Sequence, residues 1–518
     1  MSSPPTTEQS CAYPEASVKP TDVAVLIVGA GPTGLTLGCE LARRGIPFRL
    51  IEAAPGAQRG SRGKGIQPRT LELFEDMGIV DRVIAHGRLA MPMRSIKPDG
   101  RVTLGGAMPE ALRDRADLPY AASLITPEWR TEETLRLRLA EFGGAVEFGA
   151  RLTTFQQSTA GVSAVIDRGD LSETMTARWL VGCDGGHSIV RQQSGISFDG
   201  ETREDVRMIV ADIAVEGIDR DVWSIWEHEE GLVMLCPLPS TSMYQYAAVL
   251  APGQDPDLSL ANMQAILERR TGQSDIRLHE PEWSSLWRAN VRLADRYRNE
   301  SVFLAGDAAH IHSPAGGQGM NTGIQDAYNL GWKLATVWKG GSSALLDSYE
   351  AERRPVAAHV LALSDERLGK ALKQYDIGIR RDESTIQLDV NYRGSALAHD
   401  DRVGTSRLRA GERAPDAAQL ATVEGPRRLF ELTRGGDFTL LNFGADIADH
   451  EPSLGVRTLH VVAQPNRPGD VCDPKGNLAR AYDPGARTLV LIRPDGYVAL
   501  ISDAGDISAV EDYLAAIR

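Results

Sequence analysis

Three short segments of this chain carry residues whose types and spacing can do chemistry. The first is Gly29-Ala30-Gly31-Pro32-Thr33-Gly34. At this spacing Gly29 permits a tight turn, Gly31 lets a pyrophosphate approach the backbone, and Gly34 lets a helix pack closely on the strand before it. Unpaired N–H groups at the start of that helix, with its partial positive charge, suit the phosphates. Glu52, 23 residues after Gly29, stands where a carboxylate can accept both hydroxyls of a ribose. The second segment is Val302 to His310 with its Gly306-Asp307 pair, followed by Pro314 and the run Gly316-Gly317-Gln318-Gly319-Met320-Asn321. A strand ending in Gly-Asp presents a carboxylate at the carboxyl end of a sheet, where ligands bind. The glycine-rich turn after it can aim backbone N–H groups at a ring that gains negative charge. The third is Gly182-Cys183-Asp184-Gly185-Gly186-His187-Ser188, running on to Arg191.

The elements that must position these residues are legible around them. Asp22 to Val28 is apolar and β-branched, the pattern of a strand buried on both faces of a parallel sheet. A helix carrying Leu35, Leu37, Leu41 and Ala42 follows and stops at Gly45, and a second strand runs from Phe48 to Ile51. This is a β-α-β unit of about thirty residues. Residues 131–140 predict a helix, and Val146 to Leu152 and Ala177 to Val181 predict further strands. Between 206 and 250 the texture changes to antiparallel strands at Val206 to Ile213, Gly231 to Leu238 and Tyr244 to Leu250. The buried-strand pattern resumes at Val302 to Ala305, before a long helix through Leu334. That interruption predicts a second domain inserted into the first. After about residue 400 a third α/β texture predicts strands at Phe438 to Phe443, Leu459 to Ala463 and Thr488 to Ile492, then a tight turn within Arg493 to Ala499.

Composition bounds the partners. The 518 residues are 42% hydrophobic and 24% charged, ordinary for a multidomain globular protein. With 56 Lys and Arg against 70 Asp and Glu, the formal charge of −14 argues against nucleic acid. The five cysteines, Cys11, Cys39, Cys183, Cys236 and Cys472, form no C-x-x-C pair, which fits neither a disulfide framework nor a zinc site. Residues 1–21 read as a disordered tail without a signal peptide, and no early apolar run approaches a membrane span. A soluble cytoplasmic protein with no membrane partner is expected.

The three motifs in this order resemble the FAD-dependent monooxygenases of the para-hydroxybenzoate hydroxylase type. Within them the chain looks most like the aromatic polyketide and phenol hydroxylases that carry a C-terminal thioredoxin-like domain. The resemblance spans roughly residues 22–505. It implies an α/β fold with an interrupted Rossmann-like FAD-binding domain (22–95, 121–190 and 290–400), an inserted antiparallel-sheet substrate domain (96–120 and 191–289) and a thioredoxin-like domain (401–518). It further implies that Gly29, Gly31, Thr33 and Gly34 hold the FAD pyrophosphate, Glu52 the adenosine ribose and Asp307 the ribityl chain. Pro314, Gly317, Gly319, Met320 and Asn321 line the isoalloxazine, and Leu152 also belongs to the cofactor site. Asp184 serves both FAD and NAD(P)H. The loop Ser61 to Thr70 lies beside the flavin, with Arg62 near the cofactor. One departure stands out: the family's Pro-Gln is here Pro127-Glu128, and an ionised carboxylate donates no hydrogen bond. Glu128 is then expected to contact FAD differently, with Arg130 supplying the donor.

The implied activity is NAD(P)H- and O2-dependent hydroxylation of an aromatic ring through a flavin C4a-hydroperoxide, the cofactor doing the step that protein groups cannot. No nucleophile triad stands in the chain, and no catalytic acid or base is assigned. Only one Gly-x-Gly-x-x-Gly is present, so NAD(P)H has no dinucleotide fold of its own, and the absence of Trp-x-Trp-x-Ile-Pro counts against a halogenase. Baeyer–Villiger or epoxidising chemistry, or a non-catalytic aromatic-binding flavoprotein, are the alternatives. The expected substrate is bulky and phenolic or polycyclic. Residues 222–250 hold no Arg or Lys for a small carboxylate, and Trp226, Met234, Pro237 and Tyr246, with Pro314, are its expected contacts. Alternation leaves open whether Val233 with Leu235 or Met234 with Cys236 forms the wall. His310 and His312 read as solvent-facing or capping residues, with no metal expected, and Glu350 to Arg354 as a solvated helix face. With Cys472 the sole cysteine after residue 400, the C-terminal domain is expected to be redox-silent, acting as a cover or a subunit contact, and a homodimer is an allowed assembly.

Overall fold

An apolar strand with no polar face must be covered on both sides, and Val23–Val28 sits at the centre of a sheet that does this. The structure is a computed structural model and describes residues 22–61, 63–106, 108, 112–251, 253–254, 256–312, 316–374, 384–402, 408–447 and 455–518. Val23–Val28 pairs in parallel with Leu171–Gly182 on one side and Phe48–Glu52 on the other. Val302–Leu304 and Val146–Phe148 extend the parallel set outward. Val28 lies opposite both Gly182 and Ile51, and Gly182 opposite Leu304. Gly29, Glu52, Asp184 and Asp307 therefore leave the sheet at one carboxyl edge. The predicted strand from Val146 to Leu152 is two strands, Val146–Phe148 and Arg151–Ser158, because Gly149 turns the chain at φ +67°. The second half joins an antiparallel ribbon with Gly161–Arg168 and the long Leu171–Gly182.

The inserted texture forms an eight-stranded sheet. Its order is His310–Ile311, Arg277–Ala294, Phe198–Glu216, Met243–Val249, Val233–Pro237, Trp223–Trp226, Met93–Ile96 and Val102–Gly105. The strand predicted at Val206 to Ile213 is the middle of one 19 residues long, Phe198–Glu216. Its polar outer part gave no alternation to read, and it is held by Arg277–Ala294. One face of this sheet is covered by the helix Leu260–Thr271 through Met263, Ile266 and Leu267.

The C-terminal sheet has six strands, in the order His399–Asp400, Val498–Ser502, Thr488–Ile492, Phe438–Phe443, Val456–Val461 and Asp470–Val471. It docks on the helix Gly319–Trp338, where Trp332 meets Phe438 edge-on at 5.7 Å. Beside that contact lies a buried charge network. Arg493 reaches Glu352 at 2.6 and 2.8 Å and Asp495 at 2.6 Å, and Lys333 reaches Glu352 at 2.7 Å. Trp332 and Asn329 donate to Asp495 at 3.2 and 3.1 Å.

The expectation of a solvated helix face at Glu350 to Arg354 is therefore corrected: Glu352 is 3% and Arg353 0% exposed. Their helix, Asp347–Gln374, runs between the parallel-sheet domain and the C-terminal domain, and partners remote in sequence neutralise their charges. His310 is corrected likewise. It is buried and paired through Nε2 with Asp326 at 2.6 Å, not solvent-facing. Among the described residues no group of His, Cys, Asp and Glu could hold a metal ion, and no helix is long and apolar enough to cross a membrane.

Candidate active site

The carboxyl edge of the parallel sheet has the shape of a dinucleotide cradle. A Cβ on Gly29, whose φ is +100°, would fall 2.4 Å from the Cys183 carbonyl oxygen, and one on Gly34 would fall 1.9 Å from the Gly29 carbonyl oxygen. Both glycines are required by backbone packing. At Gly31 no atom lies within 4 Å of such a Cβ, so the turn is open where a phosphate must approach. Gly31 caps the helix Pro32–Ala42, and Pro32 occupies a first-turn position that needs no N–H. Thr33 wedges between Gly306 and Gly323, each leaving only 2.5 Å from a notional Cβ to its Oγ1. Thr33 thus joins the first turn to the Gly306–Ala308 turn and to the start of the helix Gly319–Trp338.

The acidic residues are held in fixed orientations. Glu52 accepts from the Ala30 amide at Oε2 and from the Ala54 amide at Oε1, each at 2.9 Å, and each oxygen keeps a second lone pair for a ribose hydroxyl. Asp184 accepts from the amides of Ile189 and Val190 at 2.8 and 3.2 Å through Oδ2, while its buried Oδ1 has no partner among the described residues. Burial pushes the Asp184 carboxyl above the usual carboxylate range, against the pull of these hydrogen bonds. An orphaned acceptor in this place fits a hydroxyl-bearing cofactor. Asp307 stands exposed on the Gly306–Ala308 turn. That turn is fixed from below, since Asp326 accepts from the Gly306 amide at 3.1 Å and pairs with His310 and with Arg353 at 2.7 Å. Burial opposes ionisation of Asp326, but its pairing with His310 and the Arg353 guanidinium outweighs it and holds the carboxyl below its usual range. Leu152 puts its side chain into the core, so only its backbone is available to a ligand.

The glycine-rich turn and the loop from Ser61 meet through two amides. The Gln67 amide donates to Asn321 Oδ1 at 2.8 Å, and Gln67 Nε2 donates to the carbonyls of Gly316 and Gly317 at 3.1 and 3.0 Å. Asn321 Nδ2 donates to Gly65 and Gly317 at 2.8 and 2.9 Å. Met320 reaches to 3.7 Å from a notional Cβ on Gly63, and Gly319 lies against His312. Glu128 accepts the Gly63 amide at 2.5 Å, so the residue that departs from the family pattern anchors this loop. Arg130 turns to Glu133 at 2.6 Å and lies over the Trp129 ring. Arg62 and Pro314 lie outside the described residues.

The eight-stranded sheet shows which of its two faces meets this loop. Trp226, Val233, Leu235, Tyr244 and Tyr246 all pack toward the helix Leu260–Thr271, and the Tyr246 hydroxyl donates to the Met263 carbonyl at 3.3 Å. Trp226 and Tyr246, expected as substrate contacts, are thus core residues on the far face. The near face carries Trp223, Met234, Cys236, Gln245 and Asp212, with Pro237 ending the strand Val233–Pro237. Asp212 accepts from the Ser61 amide at 2.8 Å and Gln245 donates to the Ser61 carbonyl, tying the loop to this face. Neither Asp212 nor Gln245, which hold this loop, was expected here. For Asp212 and Gln245 a signal existed: each is a lone polar residue within an apolar run, Met208 to Ala214 and Met243 to Val249.

A dinucleotide edge on a parallel sheet, closed by a loop that also touches a separate antiparallel wall, defines a flavoprotein oxidoreductase that brings a second ligand to its cofactor. Comparison with known proteins makes this specific. The model for an FAD binding domain matches residues 22–364, and that for the aromatic-ring hydroxylase C-terminal domain matches 407–517. The chain is 42% identical over 96% of its length to the whole of a flavin-dependent monooxygenase of Mycobacteroides abscessus. It is 34% identical over 92% of its length to 90% of the 6-methylpretetramide 4-monooxygenase of Streptomyces rimosus. The structure of aklavinone-11 hydroxylase with FAD and aklavinone superposes with a TM-score of 0.80 at 27% identity, covering 96% of this chain and 99% of that one. The chain belongs to the FAD-binding aromatic-ring hydroxylase family. It is an FAD-dependent monooxygenase, and NAD(P)H is the co-substrate typical of that family.

Proposed function

We propose that this enzyme hydroxylates a bulky phenolic or polycyclic aromatic compound with NAD(P)H and O2. The observation that carries the reading is the near face of the antiparallel sheet. Trp223 and the adaptable Met234, both half-buried, present an apolar surface beside the loop that carries Lys64. The Streptomyces rimosus relative and the aklavinone complex support a polycyclic ligand.

In this reading Gly29, Gly31, Thr33 and Gly34 hold the FAD pyrophosphate and Glu52 the ribose, while the Leu152 backbone, Asp184 and Asp307 contact the rest of the chain of FAD. Gly317, Gly319, Met320 and Asn321 face its ring system. Bound FAD supplies acceptance of electrons from NAD(P)H and activation of dioxygen. The protein orients the aromatic ring and excludes water. The division into residues 22–95, 121–190 and 290–400 for the cofactor, and 96–120 and 191–289 for the substrate, belongs to the same reading. So do the cytoplasmic setting and a homodimer. A thioredoxin-like assignment for 401–518 is supported by its strands. Phe438–Phe443 runs parallel to Val456–Val461 and antiparallel to Thr488–Ile492, which is antiparallel to Val498–Ser502.

The test is NAD(P)H oxidation across a panel of phenols and polycyclic quinones, with product structures determined by NMR, since a hydroxylated ring and a lactone have the same mass. Addition of one oxygen to the ring is expected, whereas a lactone product would select the Baeyer–Villiger alternative. Tight coupling with hydroxybenzoate and no response to polycyclic phenols would overturn the substrate class.

A further inference from the structure

The loop from Ser61 runs into the helix Pro68–Asp76, and Gln67 caps that helix. Its amide and side chain fasten Asn321, Gly316 and Gly317, so the helix start and the glycine-rich turn form one unit. Arg69, in the first turn of the same helix, is 3% exposed, and its guanidinium reaches the C-terminal domain. Nη2 donates to the Asp495 carbonyl at 2.8 Å, and the group lies 4.8 Å from the centre of the Tyr497 ring. A Cβ on Gly496, whose φ is +76°, would fall 3.3 Å from Nη2, so the turn Arg493 to Gly496 closes directly on the guanidinium. Nη1 pairs with Glu72 at 2.8 Å, and Arg413 of the C-terminal domain reaches the other Glu72 oxygen at 3.3 Å. Buried charge is a poor source of docking energy, since apolar side chains would dock the domain as well. What a planar, fork-shaped cation adds is a fixed orientation between the elements it joins.

We propose that Arg69 is a positioning residue for the flavin ring: through it the C-terminal domain holds Gln67, and with Gln67 the glycine-rich turn, in the orientation that receives the ring. The proposal rests on the reading that Gly317 to Asn321 face the ring system, and it gives the C-terminal domain a part in that site. Arg69 acts through Gln67. The two residues lie within one helical turn, about 3 Å apart along the axis, and such a turn moves as a body. The three hydrogen bonds from Gln67 to Asn321, Gly316 and Gly317 span 2.8 to 3.1 Å. A shift of about 1 Å at the helix start would break them.

The FAD-loaded full chain is compared with Arg69→Met, Arg69→Lys and Phe438→Leu, the last loosening the domain contact at Trp332 without touching the Arg69 cluster. Hydrogen exchange reads the amides of 61–67 and 316–321, and visible circular dichroism reads the setting of the bound flavin. Arg69→Met should speed exchange in both segments at least about tenfold and change the flavin dichroism. Arg69→Lys should restore most of each. Phe438→Leu should lower the melting temperature and leave both readouts as in the wild type. Equal changes in Phe438→Leu, or wild-type exchange and dichroism in Arg69→Met, would make Arg69 a domain contact only and overturn the proposal. If Arg69→Met yields no flavoprotein, Arg69→Met with Glu72→Met, which removes both members of the ion pair, is read in its place by the same criteria. Asn321→Ala separates the two readings. Flavin dichroism unchanged in that variant would remove the glycine-rich turn from the ring, and the proposal with it. Dichroism changed there but not in Arg69→Met would leave the turn at the ring and overturn the proposal alone.

Discussion

Gly31 and Gly34 are three residues apart and their substitution by alanine should have opposite consequences. A methyl at Gly34 meets the Gly29 carbonyl at 1.9 Å and cannot be accepted without moving the backbone of the turn. Gly34→Ala should destabilise the protein by about 3 kcal/mol. A methyl at Gly31 meets nothing within 4 Å and instead fills the phosphate approach. Gly31→Ala should melt at the wild-type temperature without flavin and bind FAD at least about tenfold more weakly. Thermal melts of the apoproteins with fluorescence titrations of FAD decide this, and equal destabilisation of the two variants would remove Gly31 from the cradle. The spacing of the glycines was readable from the chain. The part played by Glu128 was not, because its partner is the backbone amide of Gly63 on another loop.

At the scale of an element, the strand Met243–Val249 shows what alternation can and cannot say. Its period of two puts Tyr244 and Tyr246 on one face and Gln245 on the other, which is legible without a structure. Which face turns to the ligand depends on where the helix Leu260–Thr271 packs, and it packs on the tyrosines. Tyr246→Phe should therefore cost about 1 kcal/mol through its single hydroxyl contact and leave KM unchanged. Met234→Ala, on the opposite face, should raise KM for a polycyclic phenol several-fold with little change in melting temperature. Steady-state kinetics on both variants would refute the assignment of faces if the pattern were reversed.

For the whole molecule, the joint between the C-terminal domain and the helices below it is made of buried charge. Arg493 holds Glu352, and the adjacent Arg353 holds Asp326, which fixes the Gly306 turn at the cofactor edge. Arg493→Met leaves Glu352 buried with Lys333 as its remaining cation, which should cost about 3–5 kcal/mol and weaken FAD retention with it. Lys333 supplies the pH test, since burial pushes its ammonium down to about 8 against the pull of Glu352. The unfolded chain keeps that proton up to the ordinary 10.5, so between about 8 and 10.5 the unfolded state binds more protons and stability rises with pH. Urea denaturation across this range should show wild type gaining on Lys333→Met, and a constant difference between them would contradict the depressed value. The C-terminal domain itself, with Cys472 as its sole cysteine, should reduce no insulin.

The chain alone determined the dinucleotide edge, because its signals are local: an apolar strand, a glycine turn and an acidic strand end lie within one short unit. The same locality made the interruption of the parallel sheet, and its resumption at Val302, readable from changes in texture. Tertiary structure decided everything that required two distant segments to meet. Glu352 and Arg353 look like a solvated helix face until Arg493, Lys333 and Asp326 are brought to them. Trp226 and Tyr246 look like pocket residues until a helix covers them. Lys64 looks like one more loop lysine until the loop crosses to Trp223 and Gln245. Burial and pairing belong to contacts between elements rather than to positions in the chain, and a charge or an aromatic ring takes its role from whichever surface the fold lays against it.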